Sequence, residues 1–300
     1  MVRAILIGFC YDDTHDTAPL PGVFFDLFRV YSYCKISGFK DISVITDIRN
    51  DYDSELINQI VLDHNFSSDI FEFISNIKNR GEYIQFKSLS DFKTIAKTKI
   101  SNNLLVYFSG HCLQNTSIQL PDNDVVFIER FRDIMVPRRN LLYKNQMKRK
   151  ILFILDCCGG ELDLPYKLRN KVFRRNDDYG NSALSKLTEI VCIASSSSGE
   201  RSATLRDGSL FTQACFECLS NEKRKRSHIG DLLSNIHRKT AGNAVAYASR
   251  INEKLIRHKQ TVSLCSNSLY LPTIWSWVLG RENIDVLFYP NAQTIVVNID

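Results

Sequence analysis

The sequence contains no apolar run near the roughly 18 residues that a membrane-crossing helix needs. Its 13 glycines and 7 prolines are too few for a collagen-like or linker-dominated chain. Nine cysteines in 300 residues fall far short of disulfide-scaffold density, and an odd number cannot all pair. Reduced thiols in an intracellular compartment are therefore expected. Excess charge is scarce as well. Lys and Arg number 38 against 33 Asp and Glu, and the resulting +5 is too mild and dispersed to point to nucleic acid. The N-terminal stretch Met1–Cys10 lacks the long apolar region and small-residue cleavage site of a signal peptide, so it reads as a first strand. What is present is core material. With 44% hydrophobic and 24% charged residues the chain is not intrinsically disordered. A soluble globular protein without membrane or nucleic-acid partners is the expectation.

Short apolar runs alternate with amphipathic stretches. Ala4–Phe9 and Ile42–Thr46 read as strands, and Gly22–Ser37 as a helix. That helix places Val23, Phe24, Leu27, Phe28, Tyr31 and Cys34 on one face, with Gly38 as its stop. Helical character is expected around Ser54–Ile77, and a serine-capped helix over Ser90–Ile100. Three unbroken runs follow: Leu104–Phe108, Ile151–Leu155 and Ile190–Ala194. Continuous rather than alternating apolar runs suit parallel strands covered on both faces, so the fold class is α/β with a mainly parallel sheet. Leu210–Leu219 and His228–Thr240 read as helices, and Val286–Tyr289 with Ile295–Ile299 as a closing hairpin. Pro165–Asn181 breaks the rhythm with five basic residues against two acidic ones and ends in Gly180-Asn181; it reads as an exposed loop. Cys215 and Cys218 have zinc-like spacing without a second pair and read as core; no metal site is expected. Glu222–Arg226 reads as a solvated turn, with a nuclear localisation run as the alternative, so the expected location is cytoplasmic or nuclear.

In open α/β sheets, sites lie beyond the carboxyl ends of the strands. Ser109-Gly-His-Cys112 follows the first of the three runs, and Asp156-Cys-Cys-Gly-Gly160 the second. A histidine and a cysteine pair thus emerge at strand ends that can be neighbours. A cysteine nucleophile works as the thiolate, and an imidazole can take its proton and return it to a leaving amine. Neighbouring glycines let a substrate backbone approach and leave N–H groups for an oxyanion.

Tyr107-Phe-Ser-Gly-His111 together with Asp156-Cys-Cys158 resembles the caspase-like cysteine peptidases, and most closely their metacaspase branch. The 47 residues from His111 to Cys158 match the spacing of about 50 between a caspase histidine and its cysteine. Leu20-Pro-Gly22 with Asp26, and Ile193–Ala203 with Gly208–Thr212, resemble further segments of the family. The resemblance implies a three-layer caspase-like sandwich forming one domain over 1–300. Its large-subunit-like part would be 1–164, its basic linker 165–181 and its small-subunit-like part 182–300. It implies His111 and Cys158 as the catalytic dyad, Cys157 as a structural neighbour, and an oxyanion site formed by the backbone of Cys112 and Cys158. Leu20 and Thr204 stand where caspases carry the arginines that clamp an aspartate. Asp26 and Asp156, with Ser109, match the acidic pocket of metacaspases, so cleavage after Arg or Lys is expected. Lys171, Arg174 and Arg175 are then candidate self-processing points. Arg201 and Arg206 keep open a caspase-type preference for Asp, which would move the cuts to Asp177 and Asp178. Departures from the pattern are Cys112 in place of glycine, where a required positive φ would be strained, and Gly159-Gly160 in place of His-Ser. With only Asp122, Asp124, Glu129 and Asp133 over Cys112–Pro137, no calcium dependence or other cofactor is expected. These departures leave a catalytically inactive, partner-binding homologue as the alternative. Protein or peptide substrates, a monomeric or homodimeric state and a role in cell death are implied by the family alone.

Overall fold

The computed structural model describes residues 2–12, 14, 17–49, 68–98, 101–113, 117–136, 149–169, 172–176, 179, 188–222, 229–250 and 260–267. Six parallel strands make up one side of a nine-stranded sheet: β1 (Val2–Gly8), β2 (Asp41–Thr46), β3 (Tyr83–Gln85), β4 (Asn103–Ser109), β8 (Arg149–Asp156) and β11 (Thr188–Ala194). Between β4 and β8 lie the three short antiparallel strands of a second sheet, β5 (Cys112–Leu113), β6 (Ser117–Gln119) and β7 (Val125–Phe127). Beyond β11 the large sheet turns antiparallel through β14 (Ser263–Ser266), β9 (Tyr166–Arg169) and β10 (Val172–Arg175), giving the order β10-β9-β14-β11-β8-β4-β1-β2-β3. The three continuous apolar runs are thus adjacent strands, as their lack of alternation predicts.

Successive residues of β1 show why both faces are covered. Ala4 and Leu6 join one core cluster, Ile5 and Ile7 the other. The first cluster is roofed by α1 (Gly22–Ile36), α2 (Phe73–Asn79), α5 (Leu210–Glu222) and α6 (Ile229–Arg250). Phe92 and Ala96 of α3 (Leu89–Thr98), and Phe131 and Met135 of α4 (Ile128–Met135), roof the second. The result is a three-layer α/β sandwich with a mainly parallel sheet. Helix α3 starts one residue earlier than Ser90, because Ser88 caps it and the Asp91 carboxylate accepts the Ser88 N–H at 3.0 Å. Cys215 and Cys218 are core residues of α5. No helix among the described residues is long and apolar enough to cross a membrane.

The basic segment is not a loop throughout. Residues 166–169 and 172–175 are strands, and β9 pairs with β14, so the stretch read as a linker supplies the edge of the large sheet. Its alternation of apolar and basic residues, Tyr-Lys-Leu-Arg, suits a strand covered on one face: Leu168 packs on the core and the Lys167 ammonium pairs with Glu161. Lys171, Asp177, Asp178, residues 54–67, Lys223–Arg226 and the C-terminal hairpin reading lie outside the described residues.

Candidate active site

Strands β4 and β8 run parallel in a register that sets Ser109 beside Asp156, and Gly110 N–H still donates to Asp156 O at 3.3 Å. His111 and Cys158 each lie two residues beyond that matched pair. The topology therefore brings both to the carboxyl edge of the sheet.

The histidine is held from three directions. Its backbone N–H donates to the Tyr11 hydroxyl at 3.0 Å, and that hydroxyl donates to Gln119 O at 2.8 Å. The Tyr11 and His111 rings pack with centroids 4.9 Å apart. Nε2 lies 2.8 Å from the Ala18 carbonyl, which can only accept, so Nε2 carries the proton and Nδ1 is left as the basic nitrogen. Leu20 N–H on Cys10 O, at 2.8 Å, and the Gln119 amide on Thr17 pin the segment that carries Ala18.

Tyr11 is fully buried and sits at φ 59°, a left-handed conformation uncommon for a side chain of this size. Asp47, at the end of β2, holds it there by accepting the N–H groups of Cys10 and Tyr11 at 2.8 and 2.7 Å. Burial pushes the Tyr11 phenol well above its ordinary range, so it remains a neutral donor. A Cβ on Gly110 would stand 2.8 Å from the Tyr11 hydroxyl, so this close approach requires glycine before the histidine. None of Tyr11, Ala18 and Asp47 is visible as a site residue in the sequence, because each reaches His111 through backbone geometry set by other strands.

The two adjacent cysteines have different surroundings. Cys157 is 2% exposed, and its carbonyl accepts the hydroxyls of Ser195 and Ser196, both at 3.2 Å. Cys158 is partly exposed, and Ser202 N–H points at its sulfur at 3.4 Å. The next turn is fastened by Gly159 N–H on Ser196 Oγ at 2.8 Å. Cys112 opens β5. Gln119 N–H bonds to His111 O, which makes Cys112 and Ile118 a non-hydrogen-bonded pair and leaves the Cys112 N–H outside the ladder. Among the described residues only Tyr11 and Asn123 combine a side chain with positive φ, so Cys112 carries no such strain.

Asp26, Ser109 and Asp156 lie beneath this edge, all buried. Asp156 accepts Ser202 Oγ at 2.9 Å and Thr212 Oγ1 at 2.5 Å, and Thr212 also meets the Tyr107 hydroxyl at 2.8 Å. Burial raises the Asp156 carboxyl pKa against these hydroxyl bonds. Asp26 is 0% exposed and ties α1 to the second strand of a short hairpin, β12 (Thr204–Leu205) and β13 (Gly208–Ser209), since both its oxygens accept Ser209 N–H at 3.0 and 2.9 Å. Its cation is internal: Arg29 Nη1 stands 3.4 Å away and also donates to Asp207 O at 2.6 Å. Burial, then the nearby Asp156, push Asp26 well above the usual carboxylate range. Leu20 is partly buried against the core, Thr204 is half-buried, and Arg201 and Arg206 are exposed.

The chain is similar to caspase-1 from Spodoptera frugiperda, with a TM-score of 0.49 and 15% sequence identity over 89% of this chain and 88% of that one. No curated protein matches it. The family model of the caspase domain, Peptidase_C14, matches residues 72–272, a span that contains both His111 and Cys158. The chain belongs to the caspase-domain family of cysteine peptidases.

Proposed function

We propose that this protein is a cysteine endopeptidase in which Cys158 attacks the scissile carbonyl and His111 Nδ1 carries the proton from thiol to leaving amine. The observation that carries this reading is the matched β4–β8 register, which delivers histidine and cysteine to one edge two residues beyond paired strand ends. Cys158 rather than Cys157 is the nucleophile because it is the exposed member of the pair. Ser202 N–H offers a donor to the sulfur, and the Cys112 and Cys158 N–H groups form the oxyanion site. A preformed donor of this kind is worth about 3 kcal/mol in the transition state.

For the residue before the cleaved bond we propose Arg or Lys, as in the metacaspase branch, with Asp156 beneath Ser202 as the attracting carboxylate. Asp26 acts from behind, as the strut that seats β13. A second reading, a preference for Asp, is favoured by the exposed Arg201 next to Ser202. Self-processing is proposed at Lys171, Arg174 or Arg175. Arg174 and Arg175 are paired with Lys167 and Tyr166 and must unzip before entering an active site. Substrates are proteins or peptides; no cofactor is assigned, and the location is proposed as cytoplasmic.

Purified chain and its Cys158→Ala variant should be incubated under reducing conditions with fluorogenic peptides ending in Arg, Lys or Asp, with and without calcium. Turnover of Arg and Lys peptides by the parent alone supports the full proposal. Turnover of Asp peptides alone supports the second reading. No turnover of any peptide identifies the chain as an inactive member of its family.

A further inference from the structure

The ladder between β11 and β14 ends at Ala194 opposite Ser263. Residues 195–203, which bring Ser202 to the Cys158 sulfur, form neither strand nor helix, so turns and side chains hold them in place. Two residues just before β14 supply much of that hold. Gln260 Nε2 donates to Ser195 O at 3.2 Å and to Ser202 Oγ at 3.3 Å, and Gln260 Oε1 accepts Ala203 N–H at 3.3 Å. The amide can sit only this way round, because a carbonyl only accepts and a backbone N–H only donates. Thr261 fastens the middle of the segment. Its N–H and hydroxyl donate to the Glu200 carboxylate at 2.6 and 3.0 Å, and its carbonyl accepts Ser197 Oγ at 3.4 Å.

Through Ser202, Gln260 is joined to both halves of the candidate site. The Ser202 hydroxyl accepts from Gln260 and donates to Asp156 at 2.9 Å, so its proton is committed to the carboxylate. The Ser202 N–H points at the Cys158 sulfur at 3.4 Å. We propose that Gln260 is a positioning residue for Cys158: it holds Ser202 so that the N–H stays on the sulfur while the hydroxyl stays on Asp156. The proposal rests on the reading of Cys158 as the nucleophile and deepens it.

A donor aimed at sulfur stabilises the thiolate more than the thiol, and the thiolate is the attacking species. Without the Gln260 amide the segment is still fastened at Glu200 by Thr261, but Ser195 O, Ser202 Oγ and Ala203 N–H each lose a partner. Ser202 then has room to turn its N–H off the sulfur, and the attacking form of Cys158 becomes scarcer at neutral pH.

The test uses the full-length chain and two variants. Gln260→Met keeps the length of the side chain without its hydrogen bonds, and Gln260→Asn keeps the amide one methylene short. Circular dichroism establishes that each is folded, and Gln260→Asn carries the test if Gln260→Met does not fold. After removal of reductant each chain is treated with iodoacetamide, and alkylation of Cys158 is followed by mass spectrometry, with fragment ions separating it from Cys157. At pH 7 the rate should fall about three- to tenfold in Gln260→Met and less in Gln260→Asn, because part of a hydrogen bond to a charged group is withdrawn. At pH 10, where an ordinary thiol ionises unaided, variants and parent should agree within about twofold. A loosening that merely uncovered the sulfur would instead raise the rate at both pH values. On Arg peptides, kcat of Gln260→Met should fall by the same factor as its alkylation at pH 7. A parental rate at pH 7 in every variant that folds, or a rate raised at both pH values, overturns the proposal. An inactive parent whose Cys158 still loses reactivity in the variants overturns the peptidase reading and upholds the link from Gln260. An active parent matched by its variants overturns the link alone.

Discussion

Removing one oxygen atom, in Tyr11→Phe, should loosen His111, the proposed catalytic histidine, while leaving the fold standing. The hydroxyl accepts His111 N–H and donates to Gln119 O. The ring keeps its packing against Phe9 and His111, so no large cavity opens. Two backbone groups lose their partner. At about 1–3 kcal/mol for each unsatisfied buried group, offset in part by relaxation, the stability loss should be about 2–4 kcal/mol. That corresponds to a fall in melting temperature on the order of 5–10 °C. Displacement of a proton-transferring group by about 1 Å is worth roughly 100-fold, so kcat should fall by that order with KM nearly unchanged. The variant also tests why Gly110 is glycine. A Cβ there would meet the Tyr11 hydroxyl at 2.8 Å and Phe108 Cζ at 3.0 Å, and only the first contact disappears with the hydroxyl. Gly110→Ala should therefore be less damaging in the Tyr11→Phe background than alone, by about 0.5–1 kcal/mol in a double-mutant cycle of urea unfolding. Strict additivity together with parental kcat in Tyr11→Phe would refute the view that this hydroxyl holds His111.

Three further outcomes follow from the buried charges. Asp26 has its pKa raised by burial, so the folded state binds its proton more tightly than the unfolded chain does. Its contribution to stability is therefore lost as pH rises from the ordinary carboxylate range through the raised value, and Asp26→Asn should flatten that part of a melting-temperature-against-pH profile. A steeper profile in the variant would contradict this sign. Thr212→Val removes a donor from Asp156 and a partner from Tyr107, and should lower stability by about 1–3 kcal/mol in chemical denaturation, whereas a neutral result would mean that the buried network is not closed. Lys167→Met leaves the Glu161 carboxylate largely buried without its cation. It should cost about 2 kcal/mol and expose the β9–β10 edge to limited proteolysis at Arg169, where unchanged resistance would argue against the strand pairing.

The parts of this molecule readable from sequence are those encoded by local pattern. Unbroken apolar runs at 104–108, 151–155 and 190–194 mark doubly covered strands, and their ends mark where a histidine and a cysteine emerge. The 165–181 segment misleads because its basic residues dominate its composition, whereas its pairing is decided by β14, nearly 100 residues downstream. Asp26 reads as a pocket residue from its motif, yet its partners are Arg29 one turn on and Ser209 on a distant strand, which together close it off. Tyr11 gives no signal at all. Its left-handed backbone is imposed by Asp47 at the end of another strand, and its hydroxyl acts on a residue 100 positions away.

The claim that Cys158, deprotonated by His111, is the nucleophile is tested most directly by covalent capture. The intact chain is treated with a peptidyl acyloxymethyl ketone ending in Arg or in Asp, and the adduct is located by mass spectrometry. One adduct on Cys158, formed at least about tenfold more slowly in His111→Ala and absent in Cys158→Ala, is the predicted result. An adduct on Cys157 or Cys112, or equal labelling of Cys158 with and without the histidine, would contradict it.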